Sequence, residues 1–478
     1  MSVLSFIIKA RLNQKRKTKM KMKHQLYTIH ISIFIGTILS SVEIAYSNGI
    51  EKCPSLENCS CKSKRTGLDV TCNGVTYEQL EKDTEKLKEK ERTIRYFKIR
   101  NCEIPKLKDF LFMGIKIEYL YITDCKLQSL EPESLSSQQH TLTNLVLSSN
   151  RLTNVPTKAI AKLTTLQILD MNANNIKTLH ANAFAGLTNL TRINLFNNKI
   201  HKLNDNAFRN LATVQGDTEK GRGMHLNLGH NELHAVPSSA LRNVPFLENL
   251  DLKENKIADI GEKDFEGLES LDQLNIKHND IERLKNNAFK GLSKLISLII
   301  DNNKISVIED DAFLGLEKRL QILQLSGNQI KVFPTQALKS FKDLKSIYVN
   351  NNQINHLNEN AFKGYGGTIS YLWLQDNQIS EIPPTTFQSL YRIERLKLSG
   401  NKLSNIPYVL VEPIISTVLH LEIHDNPLIC NCDLDWYRQW VHSKERIEEL
   451  SEPKCKDPNS RRKYKLTKVP RKVISSNN

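Results

Sequence analysis

Residues 247–257 have the sequence LENLDLKENKI, and residues 271–281 repeat the same pattern as LDQLNIKHNDI. The pattern is L-x-x-L-x-L-x-x-N-x-L, in which Ile, Val, Met or Phe often replaces Leu. Its fourth and sixth positions alternate with polar neighbours, which predicts a short strand buried on one face. The Asn follows where the chain turns away, and its amide can bond to backbone groups that the bend leaves without partners.

The pattern recurs along most of the chain. In many copies another apolar residue, usually Phe, follows the Asn by about ten positions. This second apolar anchor is predicted to fill the space behind the strands. One copy alone leaves its apolar face in water, and stacking buries it at ~1.5–3 kcal/mol per large side chain. The ninth position occurs fourteen times, mostly 24 or 25 residues apart, at Cys102, Cys125, Asn150, Asn174, Asn198, Asn231, Asn255, Asn279, Asn303, Asn328, Asn352, Asn377, Asn401 and Asn426.

These copies resemble the extracellular leucine-rich-repeat family in its type with 24-residue repeats, and the resemblance covers roughly residues 53–455. It implies an α/β solenoid, a horseshoe of about 14 repeats with a parallel β-sheet on the concave side and disulfide caps at both ends. Secreted and cell-surface members recognise other proteins. The resemblance therefore implies a binding scaffold, with no catalytic residues, no cofactor and no metal.

The cysteines near both ends are similar to the caps of that family. The spacing C-x5-C-x-C-x10-C at the start implies the disulfides Cys53–Cys61 and Cys59–Cys72.

At the other end, Asn-Pro-Leu at 426–428, Cys-Asn-Cys at 430–432 and two tryptophans match the C-terminal cap and imply Cys430–Cys455. The family pattern has one more cysteine, which this sequence lacks up to Asn478. We expect either that the sequence is cut short or diverted at this end, or that Cys432 pairs outside the chain.

Cys102 and Cys125 occupy the Asn position in adjacent copies. The favoured interpretation is a buried thiol in place of each Asn. A disulfide is the alternative, because neighbouring strands lie within bonding reach.

His420, Glu422 and His424 alternate like metal ligands in the last copy. On a strand the two histidines would be ~13 Å apart, whereas zinc holds ligand nitrogens at ~2.1 Å, so one ion does not reach both. The previous strand presents Lys397 beside Glu422, which favours an ion pair instead. The motifs H-E-x-x-H, G-x-S-x-G and the P-loop are absent from the sequence, and we predict no enzyme.

The net charge of +15 lies at the two ends of the 478 residues. Residues 1–47 carry eight Lys/Arg and one acid, residues 454–478 carry nine and one, and the body between them is neutral. The first 47 residues run from basic to apolar to small side chains, which predicts a signal peptide cleaved after Ser47. The alternative is an uncleaved membrane anchor, although the apolar run is short for a ~20-residue span.

The cysteines and the sequons at Asn58 and Asn189 fit a secreted, extracellular glycoprotein. The predicted domains are a signal peptide at 1–47, an N-terminal cysteine cap at 48–92, leucine-rich repeats at 93–428, a C-terminal cysteine cap at 429–456 and a basic tail at 457–478. The copy between Asn198 and Asn231 is 33 residues long, and its polar, Gly-rich excess predicts a mobile loop.

A neutral body argues against nucleic acid as a partner, because a nucleic-acid protein carries its positive stripe on the folded domain. For the basic tail, the simpler expectation is a solvated, disordered segment. The sharper one is contact with sulfated glycans by charge.

Exposed aromatic residues mark two places on the predicted concave face. Near the C-terminal end, the aromatic residues and neighbouring cations occupy the third and fifth positions of successive strands. Such residue types dominate interface energetics; the alternative is incidental surface aromatics with Lys397 over Trp373 as a cation–π contact. The candidate partner-binding residues are Tyr96, Tyr119 and Tyr121 at one end and Tyr348, Tyr371, Trp373, Arg395 and Lys397 at the other.

The predicted function is therefore a secreted protein-binding scaffold for adhesion, guidance or matrix recognition of an extracellular protein ligand. Two alternatives remain at this level: a non-catalytic accessory subunit of an extracellular enzyme complex, and the ectodomain of a signal-anchored receptor. A membrane is a partner only if the leader stays uncleaved.

Overall fold

A parallel sheet of stacked repeats dominates the fold. The structure is a computed structural model, which describes residues 52–89, 92–211, 223–244, 246–443, 452–460, 462–470 and 473. Sixteen strands form the main sheet, and after an antiparallel first pair each strand is parallel to its neighbour. The predicted leader and the predicted mobile loop at 212–222 lie outside the described residues.

The described strands are short, as the spacing of the repeat requires. They are β1 (Cys59–Lys64), β2 (Gly67–Asn73), β3 (Thr93–Arg100), β4 (Lys106–Leu107), β5 (Lys116–Thr123), β6 (Ser129–Leu130), β7 (Asn144–Val146), β8 (Ile168–Asp170), β9 (Thr178–Leu179), β10 (Arg192–Asn194), β11 (Lys202–Leu203), β12 (Met224–Asn227), β13 (Leu247–Asp251), β14 (Gln273–Asn275), β15 (Arg283–Leu284), β16 (Ser297–Ile299), β17 (Val307–Ile308), β18 (Ile322–Gln324), β19 (Ser346–Tyr348), β20 (Tyr371–Trp373), β21 (Arg395–Lys397), β22 (His420–Glu422), β23 (Lys454–Lys456) and β24 (Lys463–Lys465).

Helices are few and mostly a single turn. Those of four residues each follow a proline, whose fixed φ suits entry into a helix. They are α1 (Tyr77–Lys88), α2 (Thr157–Ile160), α3 (Ser238–Leu241), α4 (Thr335–Leu338), α5 (Tyr408–Val411) and α6 (Asp435–Ser443), with 3-10 turns at Ser136–Gln138, Gly366–Thr368, Cys432–Leu434 and Leu466–Lys468.

The Asn of each repeat forms a buried hydrogen-bonded ladder, as its position predicts. Asn279 is typical: its Nδ2 donates to the carbonyls of Leu252 and Ile276 at 3.0 Å each, and its Oδ1 accepts from the amide of Ile257 at 3.0 Å. Glu254 directly precedes the ladder Asn of its repeat and has a φ of 54°. The residues at the same position of the other repeats also have a left-handed φ. Each repeat is thus tied to the one before it.

The second apolar anchor forms the core behind the strands. Phe289 packs between Phe265 and Phe313 with ring centroids at 6.0 and 5.9 Å, and all three side chains are buried. Phe184 and Phe208 stack in the same way at 5.5 Å. A continuous core results, because each repeat covers the apolar face of its neighbour.

The favoured prediction for Cys102 and Cys125 was wrong. They form a disulfide, with Cα atoms 4.2 Å apart on adjacent turns of the ladder. The strand stacking that elsewhere places one Asn beside the next brings two sulfur atoms together here. The amide of Cys125 still donates to Asn150 Oδ1 at 3.0 Å, so the ladder continues directly after the disulfide.

The N-terminal cap closes the first apolar layer. It contains the disulfides Cys53–Cys61 and Cys59–Cys72, the pairings that the family resemblance implies. Asp83 on α1 is buried, and its carboxylate accepts backbone N–H groups of residues 57, 58 and 59 at 2.7–2.9 Å. This charge therefore fixes the loop before β1 to the helix.

The C-terminal cap contains Cys430–Cys455, and Cys432 is exposed. Trp436 and Trp440 are buried on α6, where they cover the last repeat. The expectation of a solvated, disordered tail does not hold for the described residues beyond 456. The hairpin of β23 and β24 spans the predicted boundary between the C-terminal cap and the basic tail. Leu466 and Val469, which follow it, are buried against the cap.

Candidate functional site: the concave face

Two columns of side chains line the concave face. The parallel register places the third position of each repeat beside the third position of the next, and the fifth beside the fifth. Tyr371 is thus paired with Arg395, and Trp373 with Lys397. The fourth position between them points inward, as the full burial of Leu372 shows. The sheet therefore gathers residues that are about 25 positions apart in sequence.

The C-terminal cluster comprises Tyr348, Tyr371, Trp373, Arg395 and Lys397. Tyr348 meets Trp373 edge to face, with ring centroids 4.6 Å apart. Lys397 Nζ lies 4.5 Å from the centroid of the Trp373 ring, which is the cation–π contact that the alternative interpretation of this cluster predicts. The Tyr371 hydroxyl donates to a glutamate carboxylate at 3.3 Å, and Arg395 is exposed.

Trp373 is held on both sides and remains half-buried. Its Nε1 is buried and has no hydrogen-bond partner among the described residues, and the same is true of Gln375 Oε1 two residues further on. Lys397 also forms an ion pair with Glu422 at 3.1 Å, as expected from the strand register. The ring is thus held in position by contacts within the chain itself.

The N-terminal cluster comprises Tyr96, Tyr119 and Tyr121 with Lys98 and Arg95. Tyr96 stacks on Tyr119 at 4.8 Å, and Lys98 Nζ lies 5.0 Å from the Tyr96 ring and 5.7 Å from the Tyr121 ring. Arg95 Cζ also lies over the Tyr96 ring, 5.2 Å from its centroid.

The two cations of the N-terminal cluster were missed from the sequence, although Lys98 occupies the fifth position beside Tyr121. Burial raises the pKa of the Tyr121 hydroxyl, so it stays neutral at physiological pH. For Tyr119 the hydrogen bond to Glu118 is the main cause of a raised pKa. Both clusters therefore present aromatic rings with cations against them.

A polar depression of about 400 Å³ lies between the clusters, and sequence reasoning did not single it out. Asn194 Nδ2 donates to Asp170 there at 3.0 Å, and Arg192 and His225 are neighbours in the third-position column. Burial lowers the pKa of His225, and Arg192 lowers it further. Side chains from several successive strands of the sheet line this depression, so it spans more than one repeat.

The other sequence candidates lie apart from these clusters. Within the described part of the chain, no group of three or more His, Cys, Asp or Glu side chains is placed to hold a metal ion.

Asn189 is exposed and donates from Nδ2 to the carbonyl of Thr164 at 2.7 Å. Asn58 is half-buried beside the cap disulfide. None of the described helices has the length and apolarity that a bilayer crossing requires.

The repeat architecture and its sequence pattern define the class of protein. The family profile described as "Leucine rich repeat" matches residues 140–200, 224–281, 274–318 and 318–366, and a second profile, "Leucine Rich Repeat", matches 368–390. The chain belongs to the leucine-rich-repeat proteins. A search of curated proteins finds no match to it.

Solved structures share the fold at low identity. TLR13 in complex with ssRNA13 matches with a TM-score of 0.59 and 21% identity over 84% of this chain and 59% of its own. A chain of the Toll–Spatzle complex of Drosophila gives 0.56 and 18% over 80% and 51%. A leucine-rich-repeat protein of Leptospira interrogans gives 0.53 and 20% over 78% and 100%. The chain thus covers little more than half the length of TLR13 and of the Toll–Spatzle chain. The expectation that nucleic acid is not a partner gains no support from the TLR13 complex.

Proposed function

We propose that this chain is a secreted, non-catalytic recognition module that binds an extracellular protein ligand on its concave face. The C-terminal cluster carries the proposal. Trp373 carries the largest aromatic ring among the side chains and lies outside the buried core, yet it is oriented by Tyr348 and Lys397. Aromatic and basic side chains held in this way are typical of binding hot spots.

Secretion, glycosylation at Asn58 and Asn189 and a role in adhesion are parts of the same proposal. Four disulfides support an oxidising compartment, because they persist outside the cytosol. We also propose that the chain binds sulfated glycans near its C-terminal end. The protein partner is defined by chemistry: a surface with acidic groups for Arg395 and Lys397 beside an apolar or aromatic group for Trp373.

The test begins with the full chain expressed in secreting cells and purified from the medium. Partners captured by cross-linking from native extracellular fluid are identified by mass spectrometry, and their affinities are then measured with Trp373→Ala. We expect a loss of about 2 kcal/mol or more, roughly a 30-fold rise in Kd. Tyr391→Ala is the matched control, because Tyr391 is 59% exposed and lies outside the concave strands.

Unchanged affinity of Trp373→Ala for every captured partner would remove the C-terminal cluster from the proposal. Equal losses in Trp373→Ala and Tyr391→Ala would point to a general effect of aromatic truncation. Secretion yield and the circular dichroism spectrum of both variants separate a binding defect from a folding defect.

A further inference from the structure

The C-terminal hairpin carries four lysines on one face. Strands β23 and β24 are antiparallel, with Lys454 opposite Lys465 and Lys456 opposite Lys463. Directly paired residues, and residues two apart on one strand, point to the same side of a hairpin. All four side chains are exposed, whereas Cys455 between two of them is buried. We call this surface the lysine face.

The backbone beneath the lysine face is fixed to the solenoid. Cys455 is bonded to Cys430, and the amide of Lys456 donates to the carbonyl of Leu428 at 2.7 Å. After the hairpin, Arg438 on α6 donates to the carbonyl of Val469 at 2.7 Å. The four ammonium groups therefore project from an ordered surface, with Cβ atoms about 5 Å apart across the strands and about 7 Å apart along them.

The described acids of this region do not neutralise the lysine face. Glu452 pairs with Lys465 at 3.0 Å. Asp457 is buried in the hairpin turn, where it accepts from Asn459 N at 2.9 Å and Ser460 Oγ at 2.8 Å. The other three lysines form no ion pair with any carboxylate that the structure describes. Among the described residues, Glu452 is therefore the only carboxylate that forms an ion pair with one of these four exposed lysines.

Folding alone gives no reason for this arrangement. Lysine is depleted in strands, and like charges directly opposite each other destabilise a strand pair. A bound polyanion would remove that repulsion. Lysines on an exposed strand also discourage pairing with another chain, but that role needs no ligand and predicts no retention on a sulfated polymer.

We propose that the lysine face is a binding site for a sulfated glycan chain. Lysine presents a compact point charge with three donors, which suits sulfate groups spaced along a linear polymer. Nucleic acid is disfavoured because the ring of this hairpin, Tyr464, lies on the opposite, half-buried side, away from any stacking base. The proposal deepens the glycan part of the proposed function and is independent of the concave clusters.

The test is retention of the full, secreted chain on immobilised heparin at neutral pH. The variant K454Q/K456Q/K463Q/K465Q removes the lysine face. The matched control, K294Q/K318Q/K331Q/K363Q, removes the same charge from exposed lysines scattered over the repeats. We expect the wild type and the control to elute at similar salt and the first variant to lose most of its retention. Its binding constant should also depend less on salt, with a log–log slope smaller by roughly three.

Equal shifts in the two variants would show that net charge alone acts and would overturn the site, as would no retention of the wild type. Desulfated heparin, phosphatidylserine vesicles and a single-stranded oligonucleotide serve as competitors; stronger competition by any of them than by heparin would replace the glycan with that ligand class. If the first variant formed new multimers but kept its heparin retention, the lysines would instead serve to prevent the exposed strand from pairing with another chain. Unchanged affinity of the first variant for a concave-face partner keeps the two proposals separable.

Discussion

Replacing one residue of the asparagine ladder tests the physical basis of the fold. Asn279 is 6% exposed, and its side chain satisfies the amide of Ile257 and the carbonyls of Leu252 and Ile276 at 3.0 Å each. In Asn279→Ala the buried amide of Ile257 loses its acceptor, whereas each of the two carbonyls still accepts from another Asn of the ladder, at 3.0 and 3.1 Å. A buried group left unsatisfied costs about 1–3 kcal/mol, so the loss at this one amide gives a destabilisation of about 1–3 kcal/mol.

Two measurements check this expectation. Urea unfolding followed by circular dichroism should show an earlier transition for Asn279→Ala, although a repeat array need not unfold in one step. Hydrogen exchange avoids that difficulty, because the amide of Ile257 donates to Asn279 Oδ1 and should exchange faster in the variant. Peptides from repeats far from residue 279 should keep the protection of the wild type, since each repeat contacts only its neighbours.

Asn275→Ala is the matched control, from the same repeat and the same residue type. Its side chain is half-exposed on the concave face and accepts one local amide, that of Lys277, at 3.2 Å. We expect a change below about 0.5 kcal/mol, as is usual for such surface positions. Equal effects of the two substitutions, or unchanged exchange at Ile257 in Asn279→Ala, would refute the argument that the ladder holds successive turns together.

Two further predictions concern other parts of the solenoid. Because Cys102 and Cys125 stand at ladder positions, the variant C102N/C125N should be secreted and should unfold at higher urea than C102A/C125A; the opposite order would show that Asn cannot replace this disulfide. His225 has a lowered pKa in the folded chain, so it resists protonation there. Its stabilising contribution is complete above the unfolded pKa of about 6.5 and is lost as the pH falls below it. Unfolding midpoints at pH 7.5 and 5.0 should therefore differ less in His225→Gln than in the wild type, and an equal difference would contradict this role.

The clusters were only partly visible in the sequence. Trp373 and Lys397 could be assigned to one column because they occupy the same position in successive repeats, and strand register then places them side by side. Arg95 could not be assigned in this way, because it is the second residue of its repeat, outside the third and fifth positions, and its long side chain places the guanidinium over Tyr96. The depression around Asp170 and His225 is lined by residues of several successive strands, so no single repeat specifies it.

The sequence by itself determined the solenoid. The period of 24 or 25 residues, the apolar alternation and the recurring Asn are local features, and one copy that folds against its neighbour dictates how the next one folds. Only the tertiary structure decided the features that depend on which residues meet across repeats. It joined Cys102 to Cys125, and it turned a basic tail into a hairpin in which Lys454 faces Lys465. Pairing of this kind follows from strand register and packing, and charge or composition along the chain does not encode either.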